Sequence, residues 1–303
     1  MNSHGAVLPY PRAKGIILVI IAAVCWGASG TVAQYLFHNK GFNSGWTVVI
    51  RLLLSGTGLL FFAHTVAKQN IWNVWKNKQD VIQLVLFGIF GMLAAQYTYF
   101  AAIEYSNAAA ATVLQYLAPV MIASYLCLRK KKLPSKLEVM AILFALGGTF
   151  LLVTKGNIHA LAISVPGFAW GILSAFALAF YTLYPGRLLA KWGSLITVGW
   201  GMMIGGIVFS FVYRPWQFHG DWSGTSFLAM VFVIIFGTII AFFCYMESMK
   251  YINASEASLL ASAEPLSAAF LSVAWLQVSF GPAEWLGTFA IIATIFILSA
   301  VKK

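Results

Sequence analysis

The sequence predicts an all-α integral membrane protein. Ten transmembrane helices form two inverted five-helix repeats, with the N- and C-termini cytoplasmic. Three observations lead there. The first is composition: of 303 residues, 61% are hydrophobic and only 9% charged, whereas soluble domains run roughly 45–50% apolar and about 25% charged. So few charges cannot cover a water-facing surface. The second is a series of ten apolar stretches of spanning length, and the third is the uneven split of basic residues between alternate loops.

Taken in order, residues 1–14 are polar and carry Arg12 and Lys14. Gly15–Phe37 follows without a charge. It is too long for a signal-peptide core, shows no clear cleavage site, and reads as the first span. The first half continues with Trp46–Ala67, Val81–Ile103, Ala108–Leu128 and Leu137–Thr154. The second half gives Val165–Leu183, Thr197–Tyr213, Phe227–Met249, Ala254–Leu276 and Glu284–Val301. Residues 15–154 and 165–303 thus form two five-helix units joined by a linker, 155–164. Five is odd, so the two units insert with opposite orientation. Gly167/Gly171 and Gly201/Gly205 are small-residue pairs that let helices approach closely. Tryptophans near the segment ends, such as Trp46, Trp72, Trp192, Trp216 and Trp222, fit an interfacial belt.

Fifteen of the 19 Lys and Arg residues fall in the termini and alternate loops of one side, and three on the other; Arg51, inside helix 2, is the remaining one. That asymmetry puts both termini in the cytoplasm. It also accounts for the net charge of +11 without nucleic acid. The run 129–132 would sit against anionic head groups or simply anchor the topology. Cys25, Cys127 and Cys244 lie in or beside apolar stretches and offer neither a disulfide framework nor metal spacing. No cofactor and no metal are expected. The Asn253-Ala-Ser sequon falls on the cytoplasmic side and is discounted.

The two halves share a pattern. Shifting back by 146 residues places Tyr251, Asn253, Ala254 and Pro265 on Tyr105, Asn107, Ala108 and Pro119, and Phe236, Gly237 and Tyr245 on Phe90, Gly91 and Tyr99. Matching interrupted helices in two halves point to a transporter's binding site. The stretch 253–272 is the focus, because Glu264–Pro265 lies at its middle. A carboxyl group in hydrocarbon is expensive, and proline removes a helix hydrogen bond.

Cys25-Trp26-Gly27-Ala28-Ser29, Arg51-Leu52-Leu53, the stretch Ala101–Pro119 and its copy Met249–Pro265 together resemble the ten-helix drug/metabolite transporter superfamily, in its EamA branch. The resemblance covers nearly the whole chain. It implies inverted repeats around a central cavity, alternating access, and transport of small metabolites, often amino acids, in the plasma (inner) membrane of a bacterium.

Several polar residues are candidates for that cavity. Glu264 is about 15 Å from either surface at 1.5 Å per residue. It lines the cavity, as a proton-coupling group or as partner for a substrate ammonium, or else is a protonated carboxyl bonded to a neighbouring helix. Trp26, Gly30 and Gln34 form a stripe on helix 1. Gln96 and Tyr97, Gln115 and Tyr116, Tyr181 and Tyr245 add amides, hydroxyls and aromatic walls, a lining suited to a small zwitterion with an apolar part. Arg51, roughly 8 Å from the outer end of helix 2, either snorkels outward or draws carboxylates to the cavity mouth as a gate. Glu247 pairs locally with Lys250, and Glu256 sits in the first turn of helix 9 beside the caps Asn253 and Ser255. Pro119 and Pro265 free the carbonyls of residues 115 and 261 and act as hinges.

The expected function is therefore secondary transport of a small metabolite, an amino acid or related amphiphile, in the export direction, with a proton as candidate coupling ion. The protein would work as monomer or homodimer in the bilayer. An uncoupled facilitator or channel is the alternative, though no ring of like polar groups or filter loop is present. An embedded enzyme would want HExxH or paired intramembrane acids, which the chain lacks.

Overall fold

The structure, a computed structural model, describes residues 9–129, 131, 133, 135–157, 162–248, 251–252, 257, 260–261 and 263–301. Among these residues every regular element is helical. Among the described residues seven runs are long and apolar enough to cross a membrane: Arg12–Lys40, Ser44–Thr65, Lys78–Tyr105, Ala108–Arg129, Val165–Leu183, Gly186–Phe209 and Gly224–Tyr245. Ala263–Ala274 and Pro282–Ile297 are shorter apolar helices.

The first half opens with α1 (Pro9–Lys40) and α2 (Ser44–Thr65). Asn43 caps α2 by accepting from the Trp46 amide. A short 3₁₀ turn, Asn73–Lys76, precedes α3 (Lys78–Leu86), which runs through a π-helical segment, Phe87–Leu93, into α4 (Ala94–Tyr105). Then come α5 (Ala108–Gln115), α6 (Ala118–Arg129) and α7 (Lys136–Thr154), the last started by a Ser135/Glu138 capping box. The second half holds α8 (Val165–Leu183), α9 (Gly186–Phe209) and α10 (Gly224–Ile234). A π-helical segment, Ile235–Ile240, leads into α11 (Ala241–Ser248), followed by α12 (Ala263–Ala274) and α13 (Pro282–Val301).

Three departures from the expected spans have physical causes. The Ala108–Leu128 span is two helices. Proline 119 can neither donate to the carbonyl of residue 115 nor sit beside it, so α5 ends at Gln115. A turn at Tyr116–Leu117 carries Leu117 N–H onto Leu114 O at 3.1 Å, and α6 restarts at Ala118 with Pro119 in its first turn, where a missing N–H costs nothing. Pro265 likewise stands in the first turn of α12. The Thr197–Tyr213 span begins eleven residues earlier, at Gly186, and ends at Phe209. Arg187 and Lys191 made 186–196 look like loop, yet Leu188 and Ile196 are buried. The chain bends there at Gly193, whose φ of +74° suits glycine. Finally, neither π segment has a hydropathy signature. Moved back by 146 residues, Ile235–Ile240 falls on 89–94, overlapping Phe87–Leu93.

Small residues set the packing. Helix α13 lies along α7, where a Cβ on Gly287 would stand 2.6 Å from the Gly148 carbonyl oxygen. Gly167 and Gly171 face Ser106 and Leu114, while Gly201 and Gly205 face Met92, Leu93 and the Gly88 carbonyl. Trp216 is 77% exposed, as an interfacial belt would have it, but Trp46 is buried and donates to Pro215 O at 2.9 Å. At the end of the bundle where α1 finishes, Phe42, Trp46, Phe218 and Trp222 pack edge to face and tilted, with centroids 4.8–6.1 Å apart. The Lys40–Asp221 ion pair, at 3.0 Å, closes over them. At the opposite end Asp80, with no exposed surface, accepts from Lys191 Nζ at 2.6 Å and Trp192 Nε1 at 3.1 Å, tying α3 to α9.

Candidate functional site

A cavity of about 310 Å³ lies where the interrupted helices meet α1, the α3–α4 run, α8 and α11. Both halves contribute. Trp26, Gln96, Gln115 and Tyr116 come from the first half, and Tyr181, Tyr245 and Glu264 from the second. Arg51 lines it as well. The wall is largely aromatic: Trp26 packs against Phe242 and Tyr245 at 5.5 and 5.4 Å, and Tyr181 stacks on Phe87. The cavity is lined by the last two turns of α8 (Leu178, Tyr181, Thr182) and by Phe242 and Tyr245 of α11. It therefore extends toward the end of the bundle where α8 and α11 finish, away from the aromatic plug.

Glu264 occupies the first turn of α12, since Pro265 behind it starts a new helix. A carboxyl there lies in the helix's first turn, at the positive end of its dipole. The two costly features of the sequence thus answer each other. Tyr116 Oη lies 3.0 Å from Glu264 Oε2 and 2.8 Å from Ala261 O, its one proton shared between the two acceptors. The carbonyl expected to lose its helix donor is therefore met from the other half, and it also accepts the Glu264 amide at 3.0 Å. One hydroxyl joins the break in the first half to the break in the second.

Two candidates lie elsewhere. Gln34 is buried, and its Oε1 accepts from the Ala108 amide at 2.8 Å, capping α5 beside Asn107, which accepts from Ala110 N–H. Eight residues beyond Trp26 it is about 12 Å further along α1 and roughly 80° around it, so the stripe leaves the cavity before reaching it. Tyr97 follows Gln96 in one helix and points about 100° away. Its ring packs on Trp170, Phe209 and Tyr213, and its hydroxyl is 3.4 Å from that of Tyr213.

Arg51 does not snorkel outward. It is 5% exposed, with Nε donating to Thr238 Oγ1 at 2.7 Å and Nη2 to Gly237 O at 3.1 Å, while the guanidinium lies 4.8 Å from the Phe100 ring centroid. The cause is the π segment: its widened turn frees carbonyls, and Arg51 supplies a donor. Glu247 accepts from Tyr251 Oη at 3.5 Å. Its expected partner Lys250 lies outside the described residues, as do Asn253, Ser255, Glu256, Lys130 and Lys132.

Tyr99 was missed. It is buried, lines the cavity, and its hydroxyl is 2.7 Å from Thr112 Oγ1. The signal was available, because Tyr99 is the repeat mate of Tyr245, which also lines the cavity. Ser29, Met92, Ala95, Leu178 and Thr182 complete much of the wall; nothing in their residue types marks them.

The EamA-like transporter family matches the chain twice, over residues 13–154 and 165–300. An uncharacterized inner membrane transporter of Salmonella typhimurium, YicL, is 42% identical over 286 residues, covering 94% of this chain and 95% of its own length. An uncharacterized transporter of Bacillus subtilis, YwfM, is 25% identical over 295 residues, covering 95% and 94%. A solved structure described only as "Crystal structure of protein" superposes with a TM-score of 0.63 at 18% identity, covering 95% of this chain and 97% of that one; that likeness concerns the fold alone. The protein is a multi-pass protein of the bacterial inner membrane. With two family matches spanning nearly all of its length, the chain belongs to the EamA-like transporter family.

Proposed function

We propose that the protein is a secondary transporter that exports a small metabolite, an amino acid or related amphiphile, by alternating access. The carrying observation is the cavity of about 310 Å³ at the junction of two proline-broken helices, one from each half. Its volume suits a small metabolite, and its aromatic wall with a few amide, hydroxyl and ionisable groups suits a polar molecule with an apolar part.

In this reading the chain forms ten transmembrane helices in two inverted repeats, 15–154 and 165–303, with both termini cytoplasmic. Supporting it are the overlap of the two π segments under the 146-residue shift, the equivalent places of Pro119 and Pro265, and the double family match. The state described is then inward-facing, with the outer end plugged by the Phe42 cluster and the Lys40–Asp221 pair. The breaks at Pro119 and Pro265 are the hinges. Glu264 carries either the proton or the bond to a substrate ammonium, and Tyr116 reports its state to the opposite half.

A liposome counterflow screen of amino acids, amines and nucleobases, with and without a pH gradient, tests this. Saturable exchange of one class, accelerated by the gradient, is expected. Flux that rises linearly with concentration and never saturates would replace the transporter with a channel.

A further inference from the structure

Arg51 is a charge deep in the membrane-spanning bundle; Glu264 acts on it electrostatically from the wall of the same cavity, but no acid among the described residues is bonded to it. Nε and Nη2 are engaged by Thr238 and Gly237 O. Nη1 meets no acceptor among the described residues, and no carboxylate there stands at ion-pair distance from the guanidinium. Its Phe100 contact is a ring face, which holds the plane of the guanidinium without neutralising it. An intramembrane cation of this kind is costly, and such groups face cavities and mark ligand sites. Arg51 does line the cavity.

The repeat argues that the scaffold does not require this charge. Under the 146-residue shift the counterpart of Arg51 is Thr197, that of Gly237 is Gly91, and that of Thr238 is Met92. The first half therefore carries the equivalent π segment with no arginine behind it. Thr197 Oγ1 is buried there without a hydrogen-bond partner among the described residues. One copy of the motif stands without a cation; the other places one at the cavity wall.

We infer that Arg51 is the site of a ligand carboxylate: Nη1 and the second N–H of Nη2 present a forked pair of donors into the cavity, held in plane by Phe100 and fixed by Gly237 O and Thr238. This inference rests on the transporter reading and narrows its cargo to molecules bearing one carboxylate. A planar monoanion matches the fork. A phosphate monoester would bring a second negative charge into the chamber that Glu264 already lines.

The test uses purified full-length protein and follows intrinsic tryptophan fluorescence, with Trp26 in the cavity wall. The probes are matched series: L-phenylalanine, L-leucine and 3-phenylpropionate against L-phenylalaninamide, L-leucinamide and phenethylamine, with phenyl phosphate added. The wild-type chain is expected to bind acids at least 10-fold more tightly than their amides. Arg51→Gln should remove that preference while leaving the amides' affinity within about 2-fold, and Arg51→Lys should restore part of it. The acid-to-amide ratio in the wild type needs no variant, so a misfolded Arg51→Gln leaves the test intact. Amides that bind as tightly as acids, tighter binding of phenyl phosphate, or an unchanged acid preference in a folded Arg51→Gln each overturn the site. If counterflow carries amines or amides but no acid, the carboxylate site falls and the transporter reading stands. If no compound of any class moves or binds, both fall.

Discussion

Asp80 offers the most direct energetic test of the packing. Its side chain has no exposed surface, while its partners Lys191 and Arg187 are 43% and 53% exposed. Both cations can return to water if the carboxylate is removed, so their screened attraction accounts for about 1 kcal/mol or less each. The Trp192 Nε1–H sits on a half-buried ring and is less free to follow them. It loses its 3.1 Å acceptor, and a donor left unmade when buried costs about 1–3 kcal/mol, which sets the upper bound here. Asp80→Ala is therefore expected to cost about 3 kcal/mol, mostly through Trp192. With an unfolding entropy near 2.1 cal/mol/K per residue over a chain of this length, that is a fall in Tm of roughly 5 °C. Asp80→Asn keeps an acceptor for the indole and should recover about half. Thermal unfolding in detergent, followed by tryptophan fluorescence, measures both. If Asp80→Ala melted within 1 °C of wild type, the bond to Trp192 would not hold α9 to α3.

Other consequences concern transport and packing. Glu264→Gln should abolish acceleration by a pH gradient while leaving counterflow measurable in the same liposomes; transport equal to wild type at every pH removes the coupling role. Pro265→Ala should lower the transport rate several-fold without reducing the amount inserted, as judged by membrane-fraction immunoblotting against flux, and an unchanged rate removes the hinge. Gln34→Ala should lower stability by about 1 kcal/mol through loss of a helix cap yet leave substrate affinity as in wild type; weaker binding in titration would put Gln34 back in the cavity. Gly287→Leu should lower the melting temperature by several degrees or prevent folding, because the Gly148 carbonyl already stands 2.6 Å from where a Cβ would be.

How much of this was legible follows from what each residue needs. Glu264–Pro265 stood out because its cost in hydrocarbon depends on residue type alone, and the repeat then supplied its mates. Tyr97 and Gln34 lie off this cavity for reasons of helix phase. Gln96 and Tyr97 are set about 100° apart around their helix, enough to send Tyr97 onto Trp170, Phe209 and Tyr213 instead, and a stripe drifts over eight residues. Arg51 could be placed in its span but not on its partners, since the π segment that frees the Gly237 carbonyl is a matter of backbone winding and leaves no mark in hydropathy. The early start of α9 was hidden for a related reason. The bend at Gly193 lets a polar, half-buried turn precede an apolar one, and a sliding reading of apolar length begins only at the second.

The bonds that cross between the halves carry a consequence for assembly. Gly237 O receives its guanidinium from Arg51, and Ala261 O receives a hydroxyl from Tyr116 beside the Glu264 amide of its own half, so residues 165–301 inserted by themselves would lose a donor at each of these carbonyls. Severing the gene between codons 158 and 161 and co-expressing the two fragments should then yield a complex that survives gentle solubilisation. Either fragment produced alone should be cleared by membrane proteolysis.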